Sequence, residues 1–455
     1  MSFREKIQVT HPFNLPKHRL TGKPWVMGNN GAMNLDHAER EVSDVALLTG
    51  PSAGDMLATA IGSQGRVLSW QVHSVHHRPG AGVTVGYTVQ VDTQISHVAG
   101  PGRAVDEYMC ATTATLTDPG APNLVRIDGP GGIVVHAWRH PDDPELPGLA
   151  TACDSGALSA RLNSRVSLEL LSYRPTRRAV VRATYQSGER AYAKVVRPTH
   201  AHSLVKRHVM LTEAGVPAPE VLLSDPSGLV LISEGVGEPL ANLLASGMGQ
   251  RTDQVLHALV QTLDKFPAKA AELTRRPSWS ERSEHYAHAA ATALPKHKER
   301  LDALARGIQY LMANSDPGPV IATHGDFYEA NILMDRQTAQ VSAIIDVDSL
   351  GPGHRVDDLA CLLGHISVLP YLAPSIYRHV PEELDRWVSL CERMVDPVSL
   401  MARCAGVTLS LVAGARREDG SEWMSDAEGR LAAAELWLAR GRTHLARRIR
   451  IDSGN

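Results

Sequence analysis

Two short polar motifs, about twenty residues apart, hold the side chains best suited to chemistry. The first reads His324-Gly325-Asp326-Phe327-Tyr328-Glu329-Ala330-Asn331 and runs into apolar Ile332-Leu333-Met334. The second reads Ile344-Ile345-Asp346-Val347-Asp348 and is followed by Gly351-Pro352-Gly353 and then Asp357-Asp358-Leu359-Ala360. Moving a phosphoryl group from ATP to a hydroxyl needs a carboxylate to orient the hydroxyl proton. It also needs oxygen ligands to hold Mg²⁺ on the phosphates and a lysine to fix the triphosphate. Asp326 suits the first role, and Asn331 with Asp346 suits the second. A turn lets residues five apart converge on one ion, while Asp346 sits at the end of an aliphatic strand, where a carboxylate is held rigidly.

The ordered pair resembles the His-Gly-Asp-x-x-x-x-Asn catalytic loop and the Ile-Asp metal motif of the aminoglycoside phosphotransferase and choline kinase family. The downstream Gly-x-x-x-x-Asp-Leu-Ala element fits as well, with Gly353 and Asp358. The resemblance implies an α+β, kinase-like two-lobed fold that uses ATP and Mg²⁺ to phosphorylate a hydroxyl of a small molecule.

Lys194, in the otherwise apolar Tyr192-Ala193-Lys194-Val195-Val196, is the candidate for the α- and β-phosphates. A buried ammonium needs an anionic partner. Pro175-Thr176-Arg177-Arg178 is the hairpin turn expected to cover the phosphates, so Arg177 and Arg178 join the nucleotide set. It lacks the Gly-x-Gly-x-x-Gly of protein kinases. Ser233-Glu234-Gly235-Val236-Gly237 resembles the linker whose backbone meets adenine, which nominates Glu234 and Val236. One element departs from the pattern. A kinase lysine is paired by a glutamate on the next helix. That helix should span 202–213, and its only carboxylate is Glu213, at the far end rather than near residues 202–206.

Gly325 stands where protein kinases carry arginine, and no Ala-Pro-Glu follows, which argues against a peptide substrate. Glu329, Asp348 and Asp357 are nearby acids that could bind a cationic amine or sugar hydroxyls. The acceptors expected are an amino sugar, an aminoglycoside or a related antibiotic, and then a simple sugar. The competing reading is a non-catalytic pseudokinase that binds nucleotide and acts through its amino-terminal region. His324 is expected to hold the turn that presents Asp326 rather than act as a base. His73, His76 and His77 are read as a solvated strand face and not as a zinc site.

With 455 residues, 43% hydrophobic and 21% charged, the chain suits a globular protein with two or three domains. A net charge of −3 gives no electrostatic case for a nucleic-acid or membrane partner. The amino terminus lacks the apolar stretch of a signal peptide, no run approaches the ~18 apolar residues of a membrane span, and a cytoplasmic location is expected. The five cysteines show no metal spacing and read as reduced core thiols. Nothing indicates an oligomeric state.

The elements that must position the motifs follow from periodicity. A helix is expected at 36–48, and 65–138 is rich in strands, with Val83-Thr-Val-Gly-Tyr-Thr-Val-Gln-Val alternating as a half-buried strand. His140-Pro-Asp-Asp-Pro-Glu-Leu-Pro147 marks a boundary or an ordered hinge. A second β-rich unit covers 166–196, and its Tyr173-Arg174-Pro175 echoes His77-Arg78-Pro79, a weak internal repeat. Beyond Leu231 the signal is helical, with apolar faces Val255, Leu256, Leu259, Leu263 and Leu301, Leu304, Ile308, Leu311. Ser425 and Glu428 suggest a capping box. The domains expected are a β-rich cap over 1–150, a nucleotide lobe over 151–238 and a helical lobe over 239–455. The cap matches bacterial maltokinases and glucosamine kinases in layout only, and Asn331 stands where those sugar kinases favour glutamine.

Overall fold

A computed structural model of the chain describes residues 42–77, 82–93, 104–129, 132–416 and 422–453. The expected helix at 36–48 therefore lies partly outside the described residues, as do the turns at Pro79 to Gly82 and Gly129 to Gly132. Two compact units form, Met1–His202 with Val221–Glu234, and Ser203–Glu220 with Gly235–Asn455.

The first unit holds two antiparallel sheets. Helices α1 (42–49) and α2 (Ala53–Ile61) precede β1 (Arg66–His77), β2 (Val83–Asp92), β3 (Ala104–Thr112), β4 (Val125–Asp128) and β5 (Val134–Arg139), which pair in the order β1-β2-β3-β5-β4. Helices α3 (Leu149–Cys153) and α4 (Ser155–Leu162) precede β6 (Val166–Arg174), β7 (Arg178–Tyr185), β8 (Arg190–Val196), β9 (Val221–Ser224) and β10 (Leu229–Ser233). These pair as β6-β7-β8-β10-β9, the same order as the first sheet. What recurs is topology rather than side chains, so the sequence carries only the hairpin echo.

The first sheet differs from expectation in two ways. β2 is buried on both faces from Val83 to Tyr87, and only from Thr88 onward does it alternate as a half-buried strand. Its Val83, Val85 and Tyr87 join Leu48 and Leu57 of the helices in one core, and Tyr87 donates its hydroxyl to Leu48 O at 2.6 Å. The opposite face is filled where the Tyr108 phenol lies against Gly86. His73 and His76 are not on a solvated face either. The β1 register slips between Val72 and Ser74, and the intervening His73 Nδ1 meets Tyr108 Oη at 3.1 Å. Burial, with Arg174 and Arg177 nearby, lowers the His76 pKa to about 4. Among the described residues no group of three or more His, Cys, Asp or Glu could hold a metal ion.

The second unit takes in α5 (Pro198–Glu213) from Ser203 onward, then β11 (Glu238–Pro239), α6 (Leu240–Ser246), α7 (Thr252–Asp264), α8 (Ser283–Ala293) and α9 (Lys298–Ala313). Next come β12 (Val320–Thr323), β13 (Ile332–Met334), β14 (Val341–Ile344), β15 (Gly351–His354), α10 (Arg355–Leu372), α11 (Val380–Cys391), α12 (Pro397–Val412) and α13 (Met424–Ser453). The expected apolar faces of α7 and α9 enter one large core with α10 to α13. Strands first and helices later make the chain α+β.

Two further expectations change. Pro397–Ala415 is long and apolar enough to cross a membrane by length and composition, yet 78% of it is buried within the fold, as a core helix must be. The capping box at Ser425 does not form. Glu428 meets His297 Nε2 at 3.1 Å, while Glu422 accepts the Ser425 N–H at 2.9 Å.

Candidate active site

The two motifs occupy adjoining turns of the second unit. β12 pairs with β15 and β13 with β14, so the loop 324–331 and the loop 345–350 leave neighbouring strands. Ile345 N–H donates to Asn331 O at 2.9 Å and extends the β13–β14 pairing beyond the strands.

Within the first loop, Tyr328 N–H donates to Asp326 O at 3.1 Å and Asn331 N–H to Tyr328 O at 2.9 Å. Asn331 Nδ2 donates to Asp326 O at 3.0 Å, which fixes the amide and sets the direction of its oxygen. His324 is fully buried and bridges the loops. Its Nδ1 accepts the Asp326 N–H at 3.3 Å, so Nε2 carries the proton and donates to Ile345 O at 3.1 Å. Burial lowers its pKa to about 4, so it is a neutral strut and not a base. Phe327, also fully buried, packs edge-on against it with ring centroids 6.0 Å apart.

Asp358, near the start of α10, supports the same turn. Its Oδ2 accepts the His324 N–H and its Oδ1 the Gly325 N–H, both at 2.9 Å. Burial raises its pKa to about 7, against the pull of those two donors. Gly325 has φ +78°, and an added Cβ would lie 3.0 Å from Ser349 Cβ and O. Asp346 adopts φ 57°, ψ 52°, the left-handed region that only short polar side chains tolerate well, and it turns the chain sharply at the end of β14.

Three side chains that the motifs do not announce complete the region. Trp279 donates its indole N–H to Asp326 Oδ1 at 3.1 Å and stacks near Tyr286 at 5.7 Å. Arg276 donates to Ser349 Oγ at 3.0 Å. Arg207 of α5, 5% exposed, donates from Nε to Leu350 O at 2.9 Å and from its terminal nitrogen to Ser203 O at 3.0 Å and to Ser203 Oγ. The α5 positions that sequence reading searched for an acid thus lie beside an arginine that holds the backbone after Asp346. Glu213 is exposed at the far end. No local pattern marks these contacts, because Trp279 and Arg207 are 47 and 143 residues from their partners.

The other nominated residues divide. Asp348 is half-buried, with its charge felt by Arg207. Glu329 is 2% exposed and its Oε2 has no protein hydrogen-bond partner. Burial raises its pKa to about 7, so it is an interior group and not a lining carboxylate. Asp357 is committed to the α10 terminus: Oδ1 accepts from Arg403 Nε at 2.8 Å and Oδ2 from His354 N–H at 3.0 Å. That engagement removes it from the acceptor set. In the first unit, Lys194 pairs across the sheet with Val180 and Val230 and shares a face with Tyr192, while Ala191, Ala193 and Val195 turn into the core. Arg177 is exposed in the β6–β7 turn and Arg178 opens β7. Glu234 Oε1 accepts from the Tyr192 hydroxyl at 3.2 Å. Val236, in the second unit, is 76% exposed.

Residues 177–379 match the model of the phosphotransferase enzyme family, APH. The matched stretch starts at the β6–β7 turn, contains both motif loops and spans a little under half of the chain, leaving the first sheet outside. No curated protein matches.

Among solved structures, the chain is similar to Plasmodium vivax ethanolamine kinase (12% identity, TM-score 0.42, 62% of this chain and 85% of that one). It is also similar to a choline/ethanolamine kinase family protein from Mesorhizobium loti (17%, 0.41, 61% and 92%). A third likeness is the aminoglycoside phosphotransferase APH(3'')-Id from Streptomyces rimosus in complex with ADP and streptomycin (19%, 0.36, 51% and 90%).

The donors present suit Mg²⁺. It takes one or two protein oxygen ligands together with substrate phosphates and water, so the chain need supply only the amide oxygen of Asn331 and the carboxylate of Asp346.

Proposed function

We propose that this protein is an ATP- and Mg²⁺-dependent phosphotransferase that passes the γ-phosphoryl group to a hydroxyl of a small molecule. The observation that carries the reading is the hydrogen-bonded unit in which Asp326, Asn331 and the segment leading to Asp346 share one backbone frame.

In this reading Asp326 accepts the acceptor hydroxyl's hydrogen bond and aims its oxygen at the γ-phosphorus, and Trp279 keeps the carboxylate in that orientation. Asn331 and Asp346 would hold the Mg²⁺, which when bound neutralises charge on the phosphates. Lys194 would fix the α- and β-phosphates, with Arg177 and Arg178 as further phosphate partners, and the backbone around Glu234 and Val236 would receive the base. His324 and Asp358 hold the turn. With Glu329 interior and Asp357 spent on Arg403, Asp348 is the acid offered to the acceptor. An amino sugar or aminoglycoside-like compound comes first, then a simple sugar. The five cysteines, all free, fit a reducing, cytoplasmic setting.

Purified protein given Mg-ATP and a panel of amino sugars tests the proposal by ADP release. A second reading, nucleotide binding without turnover, is favoured by one observation: α5 presents Arg207 to its surroundings and has no buried acid. Magnesium-dependent ADP binding with no release on any acceptor would select it.

A further inference from the structure

The connector between the two sheets of the first unit is buried and not a loose hinge. Asp143 and Glu145 are 3% and 4% exposed, and Leu146 and Leu149 are fully covered. Buried carboxylates need donors, and these find theirs on both sides. Asp143 Oδ2 accepts the Thr176 N–H and the Tyr173 hydroxyl, each at 2.7 Å, and Oδ1 accepts the Glu145 N–H at 2.9 Å. Trp138 of β5 donates to Tyr173 Oη at 3.1 Å, so the first sheet feeds the same network. Glu145 accepts the Thr117 N–H at 2.6 Å and its hydroxyl at 3.0 Å. Arg197 Nε lies 2.8 Å from Thr176 O and 3.2 Å from Glu145 Oε2.

These bonds converge on one peptide. Thr176 sits at the tip of the β6–β7 turn, which closes through Arg177 N–H to Arg174 O at 3.0 Å. Proline precedes it, and its φ is +61°, where a type II turn wants glycine and a β-branched residue is an outlier. Both its backbone N–H and its C=O are held from outside the hairpin. The surroundings therefore impose the conformation that glycine would have permitted.

We infer that Asp143 is a positioning residue that sets the β6–β7 turn over the nucleotide phosphates, so that the region ahead of the APH-family stretch controls nucleotide affinity. This rests on the nucleotide reading of Arg177 and Arg178. An ordered turn presents its guanidinium and N–H groups without first losing backbone freedom, which strengthens phosphate binding but leaves the nucleoside end untouched.

The test compares full-length protein with Asp143→Asn, whose single acceptor oxygen cannot serve the Thr176, Tyr173 and Glu145 donors together. Exchange of the 174–178 amides, read by mass spectrometry, should rise about tenfold, and Mg-ADP should bind about tenfold more weakly. Adenosine affinity should stay within about twofold, a split that general loosening would not produce. Unchanged exchange, unchanged Mg-ADP affinity, or equal losses for both ligands would each overturn the inference. Tyr173→Phe, which keeps the Asp143–Thr176 bond, should lose less Mg-ADP affinity than Asp143→Asn; an equal loss would count against Asp143. If Asp143→Asn does not fold, Arg197→Gln loosens the other side of the same peptide and must show the same split. Wild-type protein that binds no Mg-ADP would sink the kinase reading itself, whereas wild-type binding with no split in the variants sinks only this inference.

Discussion

The Trp279 indole N–H donates to Asp326 Oδ1 across 3.1 Å and ties a residue ahead of α8 to the carboxylate of the first motif loop. A carboxylate with one oxygen so engaged loses rotational freedom. Trp279→Phe should therefore lower turnover about tenfold or more while Mg-ADP affinity is unchanged. Steady-state ADP release and calorimetry on the same preparation check both halves, and an equal fall in nucleotide affinity would contradict the assignment.

Asp326 and Asp346 should separate chemistry from binding. Asp326→Ala should cut turnover about 10³-fold and still bind Mg-ADP. Asp346→Asn tolerates the left-handed backbone at φ 57° and removes one charge, so it should erase most of the difference between ADP affinity with and without magnesium. Near-normal turnover in Asp326→Ala, or an intact magnesium effect in Asp346→Asn, would refute the respective role.

Gly325 offers a purely steric test. At φ +78°, with Ser349 Cβ and O both 3.0 Å from where a Cβ would stand, alanine strains the backbone and pushes on the second loop. Gly325→Ala should cost about 1–2 kcal/mol of stability and displace Asp326 enough to reduce turnover. Urea unfolding and ADP release would show both.

Glu329 makes stability depend on pH. Its carboxyl titrates at about 7 in the folded protein, raised by burial above the ordinary 4.5. The folded state therefore holds a proton that the unfolded chain gives up, and the contribution present below pH 4.5 is lost as pH rises through 7. Glu329→Gln removes that loss. Its melting temperature should pull ahead of wild type between pH 5 and pH 8, by the equivalent of about 1 kcal/mol or more. A constant gap across that range would place the titration elsewhere.

Much of the geometry of the motif loops was legible from the chain because their residues sit close together in sequence. Asp326 and Asn331 share one turn, and the strands around them read as apolar runs. His324 as a strut followed from the same locality, and the structure shows its two backbone bonds. The α7 and α9 faces were equally plain, since a 3.6-residue period reports burial directly. The failures lie where partners are distant. Alternation in β2 suggested one wet face, but Tyr108 covers it at Gly86. Asp357 looked available until Arg403, 46 residues on, reached it. The 140–147 stretch, read as a boundary or an ordered hinge, gave no sign that Asp143 would accept from Thr176, 33 residues on.

Residue types and short spacings determined the chemistry this chain can hold, the α+β order of its elements and the loops that carry the motifs, since each depends on neighbours within a turn or a strand. Tertiary structure alone decided which side chains brace those loops and which acids are spent elsewhere. Trp279, Arg207 and Asp143 act through single hydrogen bonds closed over long stretches of chain, and such bonds depend on packing that no local pattern encodes.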